Sequence, residues 1–103
     1  MGHVRSAVRK RWRFKVTIGT TPSFTIDVST RGFCTEVMRV LSPATRIEGC
    51  IEGFGKKVPF VGRVAWSSPG DASMNVRGRM GVSFTEVGPD LLDLFLSRSR
   101  LCA

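Results

Sequence analysis

Two short stretches of the chain hold residues that could grip a small anion or a base. Arg9-Lys10-Arg11-Trp12-Arg13 sets two arginines four positions apart, and Asp27-Val28-Ser29-Thr30-Arg31-Gly32 gathers a carboxylate, a hydroxyl and a glycine. A guanidinium is a planar fork of donors that fits a phosphate, or the O6/N7 edge of guanine, in bidentate fashion; its flat face also stacks on a base. An ionised aspartate only accepts, which matches the ring N–H and exocyclic amine donors of guanine. A serine hydroxyl can bridge to phosphate or base, and a glycine admits close approach of a ligand or a positive φ. Each stretch alone is ordinary: paired arginines suit any solvated surface, and Asp-x-Ser-x-x-Gly also reads as a strand end followed by an Asx-type turn. Their joint occurrence at hairpin spacing points to one site.

The elements that must bring them together are legible in the hydrophobic pattern. Phe14, Val16 and Ile18 alternate with Arg13, Lys15 and Thr17, and Phe24, Ile26 and Val28 alternate with Thr25, Asp27 and Ser29. Both runs predict strands with one face in a core, and residues 19–23 have the composition of the turn between them. A turn centred on residue 21 sets Arg13 opposite Ser29. It also puts Arg13, Asp27 and Ser29 on the outward face, behind a core face of Phe14, Val16, Phe24, Ile26 and Val28.

Four more strand-like runs follow at 33–40, 45–52, 57–67 and 79–86. Val58, Phe60, Val64 and Trp66 form the core side of the third, with Trp66 expected in the core, and Pro59 marks an edge or bulge there. Met80, Val82 and Phe84 form the core side of the last, after a polar loop at 68–77. The period then becomes helical. Pro89 and Asp90 suit a helix start, Leu91, Leu92, Leu94, Phe95 and Leu96 recur at helical spacing, and Arg98 and Arg100 suit its end. Six strands and a terminal helix predict an all-β fold, a six-stranded antiparallel β-barrel whose helix lies over an open end.

Composition narrows the function. At 103 residues there is room for one domain. No apolar run approaches the roughly 18 residues that cross a bilayer, and the basic start lacks the apolar segment of a secretory signal, so a cytoplasmic protein is expected. Cys34, Cys50 and Cys102 are odd in number and lack a C-x-x-C pair, against a disulfide framework or a zinc site. Cys34 and Cys50 read as small buried hydrophobes and Cys102 as exposed.

The net charge of +8 is concentrated: residues 1–15 contain Arg5, Arg9, Lys10, Arg11, Arg13 and Lys15 and no acid, while the remainder holds ten basic and eight acidic residues. The positive potential therefore belongs to an N-terminal arm, which suits a phosphate-bearing partner. Residues 1–8 read as a flexible basic arm, 9–97 as the domain and 98–103 as a tail. The single histidine, His3, falls in the arm, and no Ser–His or Cys–His pair, carboxylate dyad or metal cluster is visible. These absences predict a binding module without catalysis, metal or cofactor.

The two stretches also resemble the two-part signature of the PilZ domain: Arg9-x-x-x-Arg13, then Asp27-x-Ser29-x-x-Gly32. Gly62-Arg63-Val64-Ala65-Trp66 is similar to the family's G-x-V-x-W strand, and Met80-Gly81-Val82-Ser83-Phe84 resembles its late glycine–phenylalanine strand. The resemblance spans about residues 9–97. It implies a receptor for the bacterial second messenger cyclic di-GMP, held by Arg9, Arg13, Asp27, Ser29 and Gly32, with Lys10 and Arg11 as secondary contacts. Arg5-Ser6-Ala7-Val8-Arg9 satisfies the first motif too, but Arg13 leads directly into the first strand, which favours Arg9 and Arg13. Where family members carry a further arginine just before this motif the chain has Val8, leaving open whether one ligand molecule or a stacked pair binds.

Ordering of the arm on binding would then signal to a downstream protein partner. Two rivals stand beside this reading. One is a small basic nucleic-acid-binding barrel, favoured by a pI near 10.8 but not by the near-neutral body. The other is a PilZ-like interaction subunit that binds no nucleotide.

Overall fold

Apolar residues at alternate positions give strands with one face to bury, and closing the sheet on itself buries it. A computed structural model describes residues 8–101. The strands are β1 (Lys15–Ile18), β2 (Thr21–Ser29), β3 (Gly32–Val37), β4 (Arg46–Gly53), β5 (Lys56–Ser68) and β6 (Gly78–Val87), followed by the helix α1 (Leu91–Leu101). They form a closed antiparallel barrel in the order β1-β2-β3-β6-β5-β4, which pairs both edges of the sheet. Phe14, Val16, Val28, Phe33, Ile51 and Val64 are among the side chains that fill it.

The helix covers the barrel as its pattern predicts. Leu91 and Leu94, three positions apart, are buried, and Phe95 stacks on Phe14 with ring centroids 6.1 Å apart. Leu92 and Leu96 of the same stripe instead face solvent. The helix continues through Leu101 and carries Arg98 and Arg100 in its last turn, as its pattern predicts. The arm assigned to residues 1–8 lies, apart from Val8, outside the described residues, as does Cys102. Cys34 is buried and Cys50 half-buried.

The sequence-based register needs three corrections, and each has a local cause. The first hairpin turns through only Gly19 and Thr20, with Gly19 at φ 61°, so Thr21, Pro22 and Ser23 belong to β2 and Lys15 pairs with Phe24. Arg13 therefore does not lie opposite Ser29. Second, β2 carries a bulge: Thr25 pairs with Thr35 and Asp27 with Cys34, two residues of β2 against one of β3. The bulge turns Thr25 inward and Phe24 outward, the reverse of simple alternation, yet leaves Asp27 outward. Third, Val64 pairs with Val82 and Trp66 with Gly81, a bulge that moves Trp66 out of the expected core.

Thr25 makes the second change tolerable. It is only 3 % exposed, and its Oγ1 accepts from the Phe14 N–H and donates to the Trp12 carbonyl, both at 2.8 Å. One hydroxyl thus ties the segment before β1 to the barrel. Thr25→Val keeps the shape but leaves the Phe14 N–H without an acceptor, so it is expected to cost about 1–2 kcal/mol and lower Tm by about 4–8 °C per kcal/mol in a thermal melt. An unchanged Tm would show that water replaces the hydroxyl.

Candidate ligand-binding face

Cross-strand pairing sets one row of outward residues across four strands: Asp27 beside Cys34, Cys34 beside Gly81, and Gly81 beside Trp66. At the usual strand spacing the row runs about 14 Å from the Asp27 backbone to the Trp66 backbone. Its middle is low because Cys34 and Gly81 are small. A Cβ at Gly81 would collide with the indole Nε1, so Trp66 rests against bare backbone while 44 % of it stays open to water. Burial pushes the Cys34 thiol up from its ordinary pKa, and the charge of Asp27 adds to this. The row is thus a shallow shelf with an aromatic ring at one end and a charged pair at the other.

The charged pair is built by backbone. Lys10 and Val28 exchange two hydrogen bonds, Lys10 N to Val28 O at 2.8 Å and Val28 N to Lys10 O at 2.9 Å. This places the neighbouring Arg9 beside β2, where its Nη1 donates to Asp27 Oδ1 at 2.6 Å. Both side chains remain partly open to solvent, so the pair contributes little stability and can be exchanged for a ligand at small cost. Trp12 fixes the same segment from behind. It meets Phe95 at 5.6 Å and Phe14 at 6.3 Å edge to face, with the Arg98 guanidinium 5.5 Å from its ring centre.

The structure distributes the expected site residues unevenly. Arg9 and Asp27 are brought together. Arg13 is exposed but stands apart, its guanidinium carbon 4.3 Å from the centre of the outward Phe24 ring. Ser29 shares no open surface with them: it is 3 % exposed, and its Oγ accepts the Arg31 N–H at 3.1 Å, holding the β2–β3 turn. Gly32 is buried where β3 meets β6, and a Cβ there would collide with the Val82 carbonyl. Lys10 and Arg11 are exposed, with Lys10 Nζ 6.0 Å from the Trp12 ring centre. Trp66 is the residue that sequence reasoning left out of the site. Its signal, the glycine at 81 opposite it, acquires meaning only once the bulge is known.

A guanidinium, a carboxylate and an open indole along one shelf suit a planar, donor-bearing base attached to an anion. The carboxylate reads donors on a base edge, the ring stacks, and the arginine neutralises charge. Among the described residues no helix is long and apolar enough to cross a membrane.

The family model described as the PilZ domain matches residues 2–97. No curated protein matches the chain. Among solved structures the chain is similar to the inhibitor of motility of Bacillus subtilis, MotI/DgrA. The TM-score is 0.72 at 16 % identity, over 96 % of this chain and 52 % of that one. The chain spans about half the length of that relative, and at this identity the likeness is one of fold.

Proposed function

Since the chain belongs to the PilZ domain family, we propose that it is a receptor for cyclic di-GMP that binds the ligand on the shelf between Asp27 and Trp66. The observation that supports this best is the cross-strand row, which aligns a carboxylate carrying a displaceable arginine with an exposed indole. Asp27 accepts from the ring N–H and amine of a guanine, while Arg9, released from it, turns to phosphate or base. Arg13 leaves Phe24 to reach the same anion. Trp66 stacks on a base, and Lys10 and Arg11 raise the local attraction for a doubly charged ligand. Ser29 and Gly32 serve this site by holding the β2–β3 turn and seating β3 on β6.

PilZ domains are typically binding modules and not enzymes, and this reading assigns the chain no reaction or cofactor. We place the receptor in the cytoplasm. Binding of the ligand displaces Arg9 from Asp27, and the changed conformation of the N-terminal segment from Arg9 presents a different surface to a protein partner.

Tryptophan emission tests the stacking role. Addition of cyclic di-GMP is expected to quench it, and Trp66→Ala to remove the quench and weaken binding by about five- to tenfold, near the lower end for base stacking because the indole stays half open to water. Equal quenching and affinity in Trp66→Ala would move the base elsewhere.

A further inference from the structure

Beside the shelf lies a second concave surface, a groove of about 550 Å³ along the first half of β2, the end of β3 and the loop after it. Phe24, Ile26, Val37, Met38 and Leu41 line it, and Arg13, Arg39 and Arg77 stand at its walls. Phe24 is 45 % and Met38 83 % exposed, so the groove holds apolar side chains open to water. The charge around it is one-sided. Glu36, the acid in the groove, is engaged by Arg79 at 3.4 Å. Among the described residues Arg39 and Arg77 have no carboxylate partner, and Arg13 rests on the Phe24 ring.

We propose that this groove docks an acidic, amphipathic segment of a protein partner. Apolar side chains of the segment seat against Phe24, Met38 and Leu41, and its carboxylates meet Arg39 and Arg77 as bidentate pairs. A concave floor fits side chains better than a flat lipid surface. Guanidinium groups set around an apolar centre, with no continuous cationic stripe, suit carboxylates on a peptide better than a phosphate backbone. The unbranched thioether of Met38 adapts to whatever side chain it meets. Arg13 belongs to both surfaces. On the cyclic di-GMP reading, its departure toward the ligand bares the Phe24 ring, so nucleotide and segment strengthen one another's binding.

Phage-displayed random linear peptides panned on the intact chain, with and without cyclic di-GMP, supply the probe. The strongest binder is then fluorescein-labelled and followed by anisotropy. Enriched sequences are expected to combine apolar residues with Asp or Glu. Met38→Glu, and separately the Arg39→Glu/Arg77→Glu pair, are expected to weaken the labelled peptide about tenfold or more. All three positions are exposed, so unchanged thermal melts separate lost docking from lost fold. The docking surface is overturned by an absence of enriched binders or by binding indifferent to Met38→Glu. It is equally overturned if the chain instead binds phosphatidylglycerol vesicles through Met38. Calorimetry with cyclic di-GMP on the same sample separates the two readings. If nucleotide binds but leaves peptide affinity unchanged, the coupling through Arg13 fails. If no nucleotide binds, the ligand assignment fails while the groove stands or falls on its own variants.

Discussion

Replacement of Asp27 by alanine is expected to weaken cyclic di-GMP about 10- to 100-fold, the roughly 1–3 kcal/mol of a charge-assisted hydrogen bond to a base edge. Two opposing effects decide the size. The variant loses the only carboxylate in the row, and with it the acceptor that distinguishes guanine donors from water. It also releases Arg9, which no longer has to leave a 2.6 Å ion pair before meeting the ligand. The pair is partly solvated and worth little, so the loss wins. The fold should be indifferent, with Tm nearly unchanged, because no buried group depends on the carboxylate. Asp27→Asn sharpens the result: it keeps an acceptor of the same shape but no charge, and should fall between the wild type and alanine. Calorimetric titrations beside thermal melts provide both readings, and equal affinities in all three proteins would remove Asp27 from the site.

Gly32→Ala is expected to act on the fold first. The glycine sits where β3 crosses close to β6, and its added Cβ would meet the Val82 carbonyl carbon and oxygen and the Ser83 Cα. All three are backbone, so no rotamer change relieves the clash and the strands must separate. Overpacking of this kind costs about 3 kcal/mol, which for a domain of this size lowers Tm by more than about 10 °C. Ligand affinity measured well below that Tm should fall much less than in Asp27→Ala. A stable Gly32→Ala that cannot bind would instead make the glycine a direct ligand contact.

Most of the architecture was readable because alternation and helical spacing are strong signals in a chain this short. Val58, Phe60, Met80 and Val82 are buried as their positions predict, and Leu91 and Leu94 bring the helix onto the barrel. The site was less legible because it depends on bulges. An extra residue in β2 reversed the faces of Phe24 and Thr25, and another in β5 took Trp66 from the core to the shelf. A bulge has no fixed residue signature, and it is selected by contacts across strands that a linear pattern does not hold. The hairpin failed for a related reason. Pro22 and Ser23 look like turn residues, but Gly19 at positive φ closes the turn earlier and leaves them in β2. That shift of register gave Asp27 to Arg9 and left Arg13 on Phe24. The composition of the motifs was thus informative, while the pairing inside them is set by contacts across strands.

Isothermal titration of the intact chain with cyclic di-GMP reads occupancy of the Asp27–Trp66 shelf itself. The prediction is a saturable heat that Asp27→Ala largely removes and Trp66→Ala reduces. No saturable heat with nucleotide raised to high micromolar concentration would contradict it.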